Sequence, residues 1–503
     1  MDRSYLGGVT KTLKPSAHDQ SWTGAFASNP VLRELRVVID DEAYSPEPPP
    51  GWNWHVLLGG LLTHKQIAVL RYADDGPPAQ TPRMSLFDDA VSAPIGWIEV
   101  TPASNDTLFS HEVKSSDGAA ISEAGIFGDA IEAAGRDVRT VAYQALPPDE
   151  ATALRRADAI AVQAAQACAA DIFITDREYL HAARWALTDG VTICTPREGL
   201  ELVGLYLRSR AEYLTWHDPN FTVRVSKGGY FMVGAHELLS AGWKWLNACV
   251  EYDRANQTEE LTLLGVAVFQ RVSRALQARD GLLRALSVRQ DPNVVEDALR
   301  EFDVCMVFLM GAMDAAARVA HQVIGHSAKP HTAGWQRPAW MTETARRCPE
   351  LGAVLLAGSA NAHALTILRL MRNTVHDAGL QAVNLAQSAQ PDQTLIGLAR
   401  SDQTEVVAAV EALGGLPAWG LYELIPGELH ADPHVFLEKL FPAALTLLTD
   451  LMKATPVETL PGYALSDEDT RPPEGTGMYG PKSRESILWQ LGLQVSGPTS
   501  STS

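Results

Sequence analysis

Three aspartates in the first half of the chain stand where carboxylate chemistry would need them. Asp158 lies in an Ala-rich stretch whose apolar residues Ala157, Ile160, Ala161, Ala164, Ala165 and Cys168 repeat at the spacing of one helix face. Asp176 follows the short apolar run 172–174 and Thr175, and Asp40 follows a second run, 35–39, whose only charge is Arg36. Three acids brought together would repel one another unless a cation joined them. A hard divalent ion such as Mg²⁺ or Mn²⁺ takes oxygen ligands, activates a water and steadies charge on a phosphate. Against this stands a plainer role for each residue, as a helix N-cap or a turn former at a strand end.

A second constellation lies in the other half. The segment 360–376 has helical periodicity, and Arg369 and His376, seven residues apart, share a face, with Arg372 and Asn373 on neighbouring turns. A companion helix over 294–324 carries Asp303, Asp314, Arg318 and His321 on one side, with Asp314 and Arg318 at i, i+4. Four polar groups in one stripe of an otherwise apolar helix need partners, and a polar network between packed helices, ended by the break at Asp377, Ala378 and Gly379, would supply them.

The elements that must position these residues follow from periodicity and punctuation. Residues 157–206 read helix, strand, helix, strand, helix, and Thr195, Pro196 and Glu198 spell a capping box with Pro at the first helical position. This is the grammar of a parallel α/β sheet, in which polar residues past the carboxyl ends of strands attract ligands. Strand-like segments at 67–72, 97–100 and 108–113 suggest an insertion or side sheet, and 121–134 reads as helical. From His236 onward long apolar periodicities at 237–252, 259–277, 294–324, 340–356 and 360–376 predict a helical bundle. The expected architecture is an α/β parallel-sheet N-terminal domain followed by an all-α helical bundle. Its divisions are a loose N-terminus over 1–32, the α/β unit over 33–215, the bundle over 236–455 and an irregular tail over 456–503, in which 483–491 is amphipathic enough to dock.

Bulk composition narrows the options. At 503 residues the chain exceeds a single ordinary core. Lys and Arg total 41 against 60 Asp and Glu, a formal net charge of -19, which argues against a broad nucleic-acid-coating surface but leaves room for a local basic groove. The five cysteines, Cys168, Cys194, Cys249, Cys305 and Cys348, are odd in number and widely spaced, so reduced core residues are expected. The first residues lack an apolar signal region and no segment reads as a membrane span, making the cytoplasm the default location. Weaker signals take plain readings. His430 and His434 are separated by Pro433, which should open a helix. His321, His326 and His331 flank a loop and read as surface residues. The run Arg271, Arg274, Arg279, Arg284 and Arg289 reads as a solvated face, and the Trp pairs 52/54 and 243/245 as packing anchors.

The acid pattern resembles a PIN-type nuclease domain, in which an Asp on the helix before the penultimate strand, an acid after that strand and an Asp ending the first strand hold the metal. The matching positions are Asp158, Asp176 and Asp40, with Glu178 an alternative to Asp176 and with Glu123, Asp129 and Glu132 as candidates for a further acid on a middle helix. The Arg369 to His376 stripe resembles the HEPN superfamily of helical bundles, with Arg372 and Asn373 supplying the polar pairing and His376 the signature histidine. Together the resemblances imply a protein directed at RNA. In one version it is a nuclease or nuclease-derived stress or defence protein, with Mg²⁺ or Mn²⁺ at the acids, metal-free cleavage by His376 with Arg369 or Arg372, and a homodimer through the helical part. In the other it is a non-enzymatic scaffold or regulatory protein whose nuclease-like sites have decayed.

Overall fold

The computed structural model describes residues 34–493 apart from 44–52, 74–94, 103–110, 117–120, 127, 188–189, 219–220, 288–291, 378–379, 388–389 and 476. The loose N-terminus expected over 1–32 lies outside the described residues. The first half runs β1 (Leu35–Asp40), α1 (Asn53–Leu62), β2 (Ile67–Tyr72), β3 (Ile95–Pro102), β4 (His111–Ser116), β5 (Ile121–Ile126), α2 (Gly128–Arg136), α3 (Pro148–Ala167), β6 (Ile172–Ile174), α4 (Glu178–Leu187), β7 (Thr192–Cys194) and α5 (Pro196–Ser209). These strands form one sheet in the order β5-β4-β3-β2-β1-β6-β7. The pairs from β3 through β7 are parallel, while β4 and β5 extend the β3 edge as antiparallel strands.

Burial explains why such short strands hold. Along β1, Val37 and Ile39 face one layer and Val38 the other. In β6, Ile172 and Ile174 join the first and Phe173 the second. Leu57, Leu58 and Leu61 of α1, with Leu200 and Val203 of α5, cover the first face, while Ala159, Val162 and Ala165 of α3 and Leu180 of α4 cover the second. A parallel sheet covered on both sides needs strands apolar throughout, as 172–174 is. Gly199 permits the close approach of α5, since a Cβ there would stand 2.7 Å from Ile174 Cδ1. The capping box forms as read: Thr195 N–H donates to Glu198 Oε2 at 2.8 Å and Glu198 N–H to the Thr195 hydroxyl at 3.3 Å.

Two expectations for the middle of this half need correction. Residues 67–72 and 97–100 are not an insertion or side sheet, because β2 and β3 pair with β1 and with each other inside the main sheet. The expected helix at 121–134 is β5 followed by α2; pairing of Val113 with Ala124 draws the first part into the sheet, and Gly125 and Gly128 interrupt the helical pattern.

The second half contains a hairpin of β8 (Leu214–Asp218) and β9 (Phe221–Arg224), followed by α6 (Lys227–Leu238), α7 (Gly242–Asn256), α8 (Glu260–Leu286), α9 (Pro292–Val323), α10 (Pro338–Arg347), α11 (Pro349–Val354) and α12 (Ala360–Asp377). Then come β10 (Gln381–Gln387), β11 (Gln390–Gly397), α13 (Arg400–Ala412), β12 (Leu421–Ile425), β13 (Glu428–Ala431), α14 (Pro433–Ala454) and α15 (Pro481–Leu491). It is mostly helical, with one large core running from Tyr230 to Leu493. It is not all-α: β10-β11-β13-β12 form an antiparallel sheet. The Gln-rich strands β10 and β11 gave no apolar alternation to read, yet Leu395 and Ile396 are buried. Pro433 opens α14 as expected, and Asp432 caps it by accepting from His434 and Val435 N–H at 2.9 and 3.2 Å.

The two halves are joined by polar contacts shielded from water. Arg208 of α5 donates to both oxygens of Asp280 of α8 at 2.5 and 3.0 Å and to the Gln490 carbonyl at 3.0 Å. Helix α15 docks, as its amphipathic pattern suggested. Its Gln490 amide donates to the Leu214 carbonyl at 3.0 Å, and Ser486 accepts from Trp216 N–H at 3.0 Å. All five cysteines are buried and none is in a disulfide. Among the described residues no helix is long and apolar enough to cross a membrane.

Candidate functional site

The parallel strands run outward in two directions from β1: β2 and β3 on one side, β6 and β7 on the other. The carboxyl ends of β1 and β6 therefore flank the point where strand order reverses, the crevice that open α/β sheets use for ligands. Asp40 is the last residue of β1 and Thr175 the first after β6. From α3, which precedes β6, Asp158 reaches the same crevice. Both aspartates are 1% exposed, and Thr175 is fully buried.

What joins them is a residue the sequence reading passed over. Arg177 opens the turn into α4 and places its guanidinium between the acids, with Nε 2.6 Å from Asp40 Oδ2 and Nη1 3.2 Å from Asp158 Oδ1. The Thr175 hydroxyl donates to Asp40 Oδ2 at 2.7 Å and receives the Arg177 N–H at 3.2 Å. Tyr143, just before α3, donates its hydroxyl to Asp158 Oδ2 at 2.7 Å. Burial and the Asp158 charge raise the Tyr143 pKa, so the phenol keeps its proton and serves as a donor. The Arg177 guanidinium also lies 5.4 Å from the centre of the Tyr72 ring. Two carboxylates and one guanidinium are thus closed in among two hydroxyls and an aromatic face.

Asp176 is not part of this group. It is exposed, while its neighbours Thr175 and Arg177 turn inward. Partial removal from water raises its pKa, His181 opposes the shift, and repulsion from Asp40 and Glu198 adds to it. Glu178 instead accepts the Tyr143 N–H at 3.1 Å. Of the middle-helix candidates, Asp129 is exposed, Glu132 is held by Arg156 at 2.6 Å, and the side chain of Glu123 lies outside the described residues.

As arranged, this donor set does not fit a divalent ion. Of the three acids only Asp40 and Asp158 converge, and the Arg177 guanidinium already lies between them. Among the described residues no group of three or more His, Cys, Asp or Glu is placed to hold a metal.

In the helical half, α12 carries Arg369, Arg372, Asn373 and His376. Arg369 pairs with Glu405 of α13 at 2.5 Å, and Arg372 Nη1 donates to Asn373 Oδ1 at 3.4 Å. His376 is on the helix, with its side chain outside the described residues. The companion stripe on α9 divides. His321 is not a surface residue but 3% exposed, accepts the Trp340 indole N–H at 3.1 Å and stacks on His326 at 4.8 Å. Asp314, by contrast, faces arginines: burial raises its pKa while Arg372, Arg271, Arg318 and Arg337 pull it down. The Arg run is no uniform solvated face either, since Arg279 is 3% exposed and donates to the Leu491 carbonyl at 2.7 Å.

Comparison of the chain with protein-family models, curated proteins and solved structures finds no match in any of the three, so the reading of these sites rests on their own geometry.

Proposed function

We propose that the protein is a nuclease-derived, RNA-directed regulatory factor whose sheet-edge acids no longer carry a metal ion. The observation that carries this reading is the guanidinium of Arg177 between Asp40 and Asp158, with Nε 2.6 Å and Nη1 3.2 Å from them. In a metal-assisted phosphodiesterase the cation between such acids must exchange water and meet the substrate phosphate. A buried guanidinium supplies the charge without the open coordination position. It converts the crevice from a reaction centre into a tie between β1, α3 and α4. The acid pattern's resemblance to PIN-type nucleases supports an origin in RNA chemistry. The arginines on the helical half are the groups left to engage phosphates.

The test is a pair of measurements on the full chain. RNA should be retained in a gel-shift assay equally in EDTA and in Mn²⁺, and should remain uncut over hours in either Mg²⁺ or Mn²⁺. Cleavage that requires Mn²⁺ and disappears in Asp40→Asn would overturn the proposal in favour of a live metal-dependent nuclease. Absence of RNA binding under all conditions would overturn its RNA-directed part.

A further inference from the structure

A cavity of about 290 Å³ opens where α5 and the residues before β8 meet α6, α8 and α9. Each helix lines it with the face its periodicity dictates. On α8 the lining residues Arg274, Gln277, Ala278, Gly281 and Arg284 recur at the three- and four-residue steps of one stripe, and on α9 Glu301, Val304 and Phe308 do the same. Helix α6 contributes Lys227 and Phe231, one turn apart, and α5 contributes Leu205 and Arg208. Ala278 and Gly281 carry little side chain between the two arginines of α8. At Gly281 there is no room for more, since a Cβ would stand 2.7 Å from Glu301 Cδ.

Burial and charge divide the lining into a floor and a mouth. Leu205, Phe231 and Ala278 are buried. Beside them Arg208 is closed off by Asp280, which accepts from its Nε at 2.5 Å and its Nη2 at 3.0 Å. Phe231 with Tyr213, rings 6.0 Å apart, and Phe308 give the lining three aromatic side chains. Lys227, Arg274 and Arg284 are exposed, and among the described residues none of these three is in an ion pair with a carboxylate. Arg274 instead holds its guanidinium 5.5 Å from the centre of the Phe308 ring. Glu301, the other carboxylate on the lining, is 3.1 Å from Arg300 outside it. With Arg208 and Asp280 cancelling, three cations and one carboxylate leave a formal charge of about +2 on this cavity, in a chain whose total is -19.

We propose that this cavity is a binding site for a nucleoside monophosphate, its phosphate held at the mouth by Lys227, Arg274 and Arg284 and its base laid on the aromatic floor. A phosphomonoester carries about -1.5 to -2 charges at neutral pH, which matches the excess at the mouth, whereas a phosphate within a strand carries one. Guanidiniums meet phosphate oxygens with paired N–H donors, and a flat base packs well on aromatic side chains. Small-molecule sites favour junctions between folded units, and this cavity has walls from both halves of the chain. An occupant therefore ties the halves together. The site goes beyond the RNA-directed reading, because it accommodates a free nucleotide; the phosphorylated end of an RNA presents the same group.

The experiment is calorimetric titration of the intact protein with AMP, adenosine, inorganic phosphate and a 5′-phosphorylated oligoribonucleotide. AMP should bind at least about tenfold more tightly than adenosine or inorganic phosphate, the size of one charge-assisted contact, and should raise the Tm. Arg274→Gln and Arg284→Gln, both at exposed positions, should each remove most of the advantage of AMP over adenosine while leaving the unfolding midpoint of the unliganded protein unchanged. Glu301→Gln should tighten AMP binding, a gain that a purely structural role would not produce. If the oligoribonucleotide binds with the same arginine dependence and AMP does not, the site stands and an RNA end is its ligand. If AMP binds in this way to a protein that retains no RNA in the gel-shift assay, the site stands and the RNA-directed reading falls. Inorganic phosphate binding as tightly as AMP would overturn the nucleoside assignment. If no probe shows arginine-dependent binding, or if Glu301→Gln weakens it, the proposed site is wrong.

Discussion

Replacing Arg177 by Met keeps roughly the volume and flexibility of the stem while removing the charge between Asp40 and Asp158. In the wild type, one guanidinium satisfies both carboxylates at 2.6 and 3.2 Å, and both acids are 1% exposed. The variant would leave two buried carboxylates without a cation between them, with hydrogen bonds such as those from the Thr175 and Tyr143 hydroxyls and the Glu42 N–H still in place. Removing one partner of a buried ion pair costs about 3–5 kcal/mol, because an uncompensated charge remains. For a cooperative unit of 150–250 residues that corresponds to a fall in Tm of roughly 6–20 °C. Urea unfolding of wild type, Arg177→Met, and the triple variant Asp40→Asn, Asp158→Asn, Arg177→Met separates the tie from simple packing. The triple variant should recover at least about 1 kcal/mol relative to Arg177→Met, since the repelling charges are gone. A loss below about 1 kcal/mol in Arg177→Met, or a triple variant no more stable than the single, would refute the idea that Arg177 stands in for a cation.

Asp176→Asn should change stability by no more than about 0.5 kcal/mol in the same assay, as expected for an exposed side chain outside the group. Stability should also fall with acid through His236. Stacked on Phe269 at 4.2 Å and shielded from water, its pKa is lowered from 6.5 to about 4, so the folded form binds its proton later than the unfolded chain. Its contribution is complete above pH 6.5 and is lost as pH falls toward 4, at most about 3 kcal/mol. His236→Phe should flatten that part of the pH profile in urea titrations; an unchanged profile would contradict the assignment. The five buried thiols should resist a thiol reagent at pH 8 in the folded protein and react together in denaturant, with Cys249 pushed up to about 12 by burial beside Asp253.

The parts of the fold that could be read ahead of the structure were those with a local physical signature. The Ala-rich face of α3, the fully apolar 172–174 strand, the Thr195 capping box and the Pro433 helix start each declare themselves within a few residues. Asp40 was legible as a residue at the carboxyl end of a parallel strand, and Asp158 as the one acid in the Ala-rich part of the helix that feeds the neighbouring strand. Arg177 carried no local signal, since its role depends on the turn after β6 setting it between two acids from distant segments. Nothing local tells which of three consecutive residues after a strand turns inward; tertiary packing put Thr175 and Arg177 inside and Asp176 out. Strands β2 and β3 could not be ordered, since long connections separate them and register depends on distant partners. Strands β10 and β11 escaped notice because their Gln-rich sequence has no period-2 apolar pattern, and the pairing of β11 with the distant β13 is what joins this hairpin to a larger sheet.

Helix α15 gives the molecule a timing constraint during its manufacture. The Trp216 backbone waits for Ser486, 270 residues later in the chain, and the Leu214 carbonyl waits for Gln490. At ribosomal speeds of about 5–20 residues per second, this interval is on the order of 10–50 s. Through it, β8 and the outer face of α5 stand without the helix that shields them. A nascent chain of this length is therefore a client for whatever holds unfinished proteins apart, and a stalled ribosome anywhere before residue 481 releases a product with that seam open.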